Sequence, residues 1–236
     1  MTNDTPPLLP PPPPPDAAAT PFPWEDRARI GFGQGFLEAV RDLLTAPTAA
    51  FARMRERGDY VSPLLFALIV SILGVLISQF WMLVLGPSSF FLPIPADMRE
   101  ELFAGAALGA AGVAFQLVIG PILALLGLLI GSAIIHLFLL LFGGLKASPS
   151  GFEGSFRTLG YASVSQLAGV VPFVGWLLAL IWGVILQVIG LARLHRTTPG
   201  RALAAVVAPL LLCCVCIVLF AATVIGLIAG AAASAR

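Results

Sequence analysis

The stretch 121-PILALLGLLIGSAIIHLFLLLFGG-144 contains no Asp, Glu, Lys or Arg. A helix rises 1.5 Å per residue, so about 20 apolar residues cross a hydrocarbon layer about 30 Å thick. Residues 63–92, 173–192 and 203–234 are equally free of charge. Of the 236 residues, 58% are hydrophobic and 11% charged, with a mean hydropathy of +0.98. A soluble domain carries about 25% charged residues. The chain reads as an all-α, polytopic integral membrane protein.

The formal net charge is +1, and no basic patch is large enough for nucleic acid, so that partner class is excluded. The polar, proline-rich start reads as lacking a cleavable signal peptide. Cys213, Cys214 and Cys216 all lie inside the last apolar stretch. Neighbours on one helix cannot easily bridge each other, and a soft-metal site needs ligands from other segments. No metal, cofactor or catalytic residue is expected.

Three regions follow from composition. Residues 1–24 read as a disordered tail whose prolines, Pro10 to Pro15, favour an extended polyproline conformation. Residues 25–62 read as basic amphipathic juxtamembrane helices. Phe36, Leu37, Val40, Leu43 and Leu44 recur at helical spacing, and Pro47 separates them from a second helix around Phe51 and Met54. Such helices either lie in an anionic headgroup layer or pack on the protein's own bundle. Residues 63–236 hold the membrane domain, with Ser62 expected as N-cap and Pro63 in the first turn of span one.

Five spans are expected, at about 63–85, 121–143, 156–171, 173–193 and 202–228. Residues 98–119 are expected not to cross, either lying at the interface or extending span two. Charge decides this. With five spans and a cytoplasmic N-terminus, Arg53, Arg55, Arg57, Lys146, Arg157, Arg193, Arg196 and Arg201 fall on the cytoplasmic side. Only Arg99 and Arg236 fall outside, as the positive-inside rule demands. A sixth crossing reverses the balance. The C-terminus is then external, and Arg53, Arg55, Arg57, Arg193, Arg196 and Arg201 are basic residues at the membrane surface.

Polar residues inside spans are costly and so point to function. Gln79, Ser132, His136, Gln166 and Gln187 form a candidate intramembrane pocket, with His136 one turn after Ser132. The simpler reading is interhelical hydrogen bonding. No span carries an acid, and there is no metal-ligand spacing, phosphate loop or nucleophile elbow. An enzyme is not expected.

The second half carries a recognisable order of residues. Span two ends at His136 and Phe142-Gly143-Gly144. Then come Phe156-Arg157-Thr158-Leu159-Gly160-Tyr161-Ala162, Pro172-Phe173-Val174-Gly175-Trp176, Ile181-Trp182, Gly190-Leu191 and His195. This resembles the bacterial branch of the Yip family, the Ypt/Rab-interacting-protein domain, over roughly residues 36–228. The resemblance implies five spans, a cytoplasmic N-terminus and, for the bacterial branch, the inner membrane. Eukaryotic members work in membrane trafficking with small GTPases. The acidic Asp-Leu-Tyr-Gly-Pro stretch of those members is absent here, which argues against small-GTPase binding. Gly143, Gly144, Gly160, Tyr161, Ala162, Pro172, Gly175, Trp182 and His195 read as structural residues of the pattern.

The functional expectation is a non-enzymatic integral membrane protein that organises or binds protein partners or lipid. Its partners would be the bilayer, a second copy of itself or other membrane proteins. The alternative is a small transporter, channel or lipid-handling protein using the polar set around His136.

Overall fold

A computed structural model describes residues 20–85 and 109–234, helical apart from turns, bends and short connecting stretches. The expected polyproline tail up to residue 19 and the start of the 98–119 segment, with Arg99, lie outside the described residues, as does Arg236. The helices are α1 (Arg27–Ile30), α2 (Phe32–Thr45), α3 (Pro47–Ala52), α4 (Val61–Leu85) and α5 (Gly109–Leu141). After α5 come α6 (Gly151–Ala162), a 3-10 helix (Ser163–Val170), α7 (Gly175–Leu194) and α8 (Pro199–Ser234).

Four of these are long and apolar enough to cross a bilayer: Val61–Leu85, Gly112–Leu141, Gly175–Leu194 and Pro199–Val224. The expectation of five such helices is therefore corrected at span three. Residues 156–171 are divided between the end of α6 and the 3-10 helix. Gly160 sits against Pro63 at the start of α4, and the Trp81 indole near the end of α4 donates to the Gly169 carbonyl (3.2 Å). The segment thus follows α4 through the interior. Irregular backbone at membrane depth survives only where protein covers it, and nine of the twelve α6 residues are buried.

Residues 109–119 continue span two as one helix through Pro121. Span one starts differently from expectation. The Asp59 carboxylate, not Ser62, makes the capping contact, accepting from the Ser62 amide (2.9 Å) and its hydroxyl (2.5 Å). Pro63 sits in the first turn as anticipated.

The juxtamembrane helices pack on the bundle. Leu43, Ala50, Phe51 and Met54 join Phe66, Val70, Tyr161, Val164 and Leu186 in one core. Leu37 and Leu44 stay exposed on the other flank of the stripe. The tail boundary also moves. Phe22 and Trp24 are fully buried, with Phe22 edge-on to Tyr161 at 5.0 Å and Trp24 to Phe66 at 5.8 Å. Each buried aromatic is worth about 1.5–3 kcal/mol, which holds residues 22–24 on the bundle.

A second core, of Ile135, Leu139, Leu191, Ala202, Ala205 and Val206, binds α5, α7 and α8. α7 approaches α3 and α6 closely at Gly190, where a Cβ would lie 2.6 Å from Thr158 Cγ2 and 2.7 Å from Phe51 Cε1. Gly190→Ala is expected to cost about 1–3 kcal/mol by overpacking. A lowered thermal midpoint would be the readout. Gly200→Ala, which meets nothing within 4 Å, should leave the midpoint unmoved.

Candidate functional site

At one end of the bundle the 53–59 loop, the 142–150 connector and the 195–198 turn meet. Arg196 pairs with Glu56 (2.6 Å), and Arg201 Nη1 donates to the Gly143 carbonyl (3.4 Å). Ser148 bonds the His195 ring (2.8 Å). Gly143 leaves α5 with φ 68, a left-handed conformation that favours glycine. Gly144 has no room for a Cβ beside Leu139 Cδ2 (2.8 Å). We call this the cap end.

Its centre is a buried ion network. α6 spaces Glu153, Arg157 and Tyr161 four residues apart, so all three share one face. Arg157 is fully buried. Its Nη1 donates to Glu25 Oε1, and its Nη2 donates to Glu153 Oε1 (2.7 Å) and the Asp59 carbonyl (3.0 Å). The Tyr161 hydroxyl also donates to Glu25 (3.1 Å), as does the Arg55 amide (2.9 Å). Glu153 accepts from the amides of Gly58 (3.0 Å) and Asp59 (2.8 Å). The Trp24 indole donates to the Ser62 carbonyl (2.7 Å), and Arg27 to the Ser62 hydroxyl (2.7 Å).

The three carboxyls respond differently to these surroundings. Burial raises the Glu25 carboxyl above the usual carboxylate range, and Arg157 opposes this without cancelling it. Burial also pushes Glu153 upward, but the Asp59 and Gly58 amides and Arg157 outweigh it and hold the group low. Asp59 is likewise held low, its burial outweighed by the Ser62 hydroxyl and amide and by Arg157 and Arg27. Arg157, counted with the cytoplasmic-side cations, clamps the front section to α6. Arg53 is also tied down, against Asp42 (2.5 Å). Arg55, Arg57, Arg193, Arg196 and Arg201 are exposed at the cap end.

A second polar chain joins α5, α6 and the end of α7. His136 Nδ1 meets Ser155 Oγ (2.9 Å), and Ser155 Oγ meets His195 Nε2 (3.0 Å). The two rings lie 5.8 Å apart, with Phe152 edge-on to His136 at 5.6 Å. His195 is fully buried, and burial first, then the adjacent His136, lowers its pKa from the ordinary 6.5 to about 4. Ser155 is fully buried, and among the described residues no carboxylate orients either ring. That arrangement cannot present a hydroxyl to an acyl group as a nucleophile must be presented.

The intramembrane set read from the sequence is distributed over several surroundings. Ser132 donates to its own backbone at Leu128 (2.6 Å), and Gln79 pairs with Gln116. Gln166 and Gln187 line one cavity between α5, α7 and α8, and Gln166 also lines a second beside Trp81; His136 lines neither. The remaining pattern residues serve packing. Gly160 has Pro63 within 2.8 Å of a Cβ position, and Ala162 is buried beside it. The turn after Pro172 brings Gly175 so near Ala168 that a Cβ would lie 2.4 Å from the carbonyl oxygen. Trp182 packs on the main core, its indole nitrogen buried without a partner among the described residues.

Glu25, Asp59, Glu153, Ser148 and Ser155 were not singled out in the sequence. The Glu153/Arg157/Tyr161 spacing was the available signal. Among the described residues no group of three metal-ligating side chains converges.

Comparison with known families gives a match of the Yip1 domain to residues 41–232. It contains Glu153, Arg157, Tyr161, His136 and His195, while Trp24 and Glu25 precede it. No curated protein and no solved structure matches the chain.

Proposed function

The chain belongs to the Yip1 domain family, and we propose that it is a non-enzymatic membrane protein binding protein partners or lipid at its cap end. The observation that carries this is the ion network locking residues 22–59 onto α6. That network makes a fixed platform whose outward side chains include Arg55, Arg57 and Arg193. A charged rim of this kind selects and steers partners more than it adds raw affinity. The basic connectors favour a cytoplasmic cap and an external C-terminus, and the resemblance to the bacterial branch of the family favours the bacterial inner membrane. A second copy of the chain or another membrane protein fits the platform. Small-GTPase binding has no counterpart in the residues at hand.

A photoreactive amino acid at Arg55 in native membranes tests the proposal. A discrete homomeric or heteromeric adduct is expected, weakened about fivefold by Arg57→Glu with Arg193→Glu. Absence of any discrete protein adduct from the cap overturns partner binding.

A further inference from the structure

At the opposite end of the bundle a cavity of about 880 Å³ opens between α4, α5, the 3-10 helix and α7. Gly74, Ser78 and Trp81 line it from α4, Gln166 and Gly169 from the 3-10 helix, and Trp176 from α7. Gly74 is near the middle of α4 and Leu85 is its last residue, so the cavity reaches from mid-membrane depth to the end of the span. Its volume lies in the range of small-molecule sites, about 300–1,000 Å³.

Close-packed interiors do not keep voids of this size empty. Water suits it poorly, because the wall is mostly apolar and two of its polar side chains are already engaged. The Ser71 hydroxyl donates to the Leu68 carbonyl (2.8 Å), and the Trp81 indole to Gly169 (3.2 Å). Gln166 differs. Its side chain is exposed, carries its Oε1 within 3.7 Å of a Cβ position at Gly74, and has no hydrogen-bond partner among the described residues. An amide at this depth is costly unless something satisfies it.

We propose that this cavity binds one membrane lipid, its hydrocarbon against the wall and a carbonyl or hydroxyl hydrogen-bonded to Gln166. Lipid is the amphiphile present at this depth, and it meets both requirements of the site: apolar bulk and a few polar contacts, Gln166 among them. The site is distinct from the cap-end platform and does not depend on it.

The test uses the full chain in vesicles of phosphatidylethanolamine and phosphatidylglycerol, doped with phosphatidylcholine carrying a diazirine in one acyl chain. Photoadducts are expected to concentrate on residues 78–81 and 169–176. Gly169→Leu, whose added Cβ meets only Ile77 Cγ2 at 3.8 Å, fills the space and should abolish them. Gln166→Leu keeps the volume and removes the hydrogen bond, so those adducts should fall about fivefold. Adducts spread evenly over the outward faces of α4, α5 and α8 would overturn the proposal. So would cavity adducts unchanged in Gln166→Leu, a reading that stands even if Gly169→Leu fails to fold.

Discussion

Arg157→Met is expected to destabilise the protein by about 3–5 kcal/mol, the loss that follows when one partner leaves a buried ion pair. Arg157 is fully buried, and the side chains of Glu25 and Glu153 are only 1% and 7% exposed. Removing the guanidinium leaves two carboxylates in a poorly solvated site, and the amides that remain on them cannot supply the missing charge. The damage should centre on the cap. Trp24, next to Glu25 and bonded to the Ser62 carbonyl, should gain solvent, seen as a red-shifted fluorescence alongside the lowered thermal midpoint. The triple variant Glu25→Gln, Glu153→Gln, Arg157→Met removes every charge of the network and should recover much of the loss. A single Arg157→Met variant within about 1 kcal/mol of the parent, a size typical of exposed pairs, would refute the network's structural role.

The legible part of this fold was the part that faces lipid. Residues 63–85, 121–143, 173–193 and 202–228 announce themselves because a helix surrounded by hydrocarbon can carry no charge along its length. Residues 151–170 are surrounded by protein instead. There, Arg157 and Glu153 satisfy each other and the backbone can tighten into a 3-10 helix, so neither length nor composition marks the segment as one spanning helix. The spacing of Glu153, Arg157 and Tyr161 could be read from α6 alone. Glu25 could not, because it reaches Arg157 across 132 positions through the fold of the cap. The partners of His136 were hidden for a related reason. Ser132 lies on the same helix face, yet its hydroxyl turns to its own backbone, while Ser155 and His195 arrive from elements whose approach sequence periodicity does not fix.

His195 should make stability depend on acid in a defined window. Its pKa is about 4 in the folded chain against an ordinary 6.5, so above pH 6.5 the ring is neutral in both folded and unfolded states and contributes no slope. Between 6.5 and 4 the unfolded chain binds a proton that the folded chain refuses, and stability falls as pH falls. Below 4 the folded ring is protonated too, and the loss levels off at about 3 kcal/mol, the shift converted at 1.36 kcal/mol per unit. The surroundings explain the refusal. His136, Ser148 and Ser155 face the ring, the nearby charged groups Arg193 and Arg196 are cations, and the Glu153 carboxylate is spent on Arg157 and the Gly58 and Asp59 amides. The raised Glu25 works in the opposite direction, since its folded state holds a proton more readily and gains stability as pH falls. The measurement is therefore a difference: unfolding midpoints of the parent and His195→Asn from neutral pH to about 4. Glu25, Asp59 and Glu153 titrate in both proteins and cancel. The variant should start less stable near neutrality, having lost its bonds to Ser148 and Ser155, and the gap should close as the pH drops. Parallel profiles would mean that the buried imidazole is not what the acid attacks.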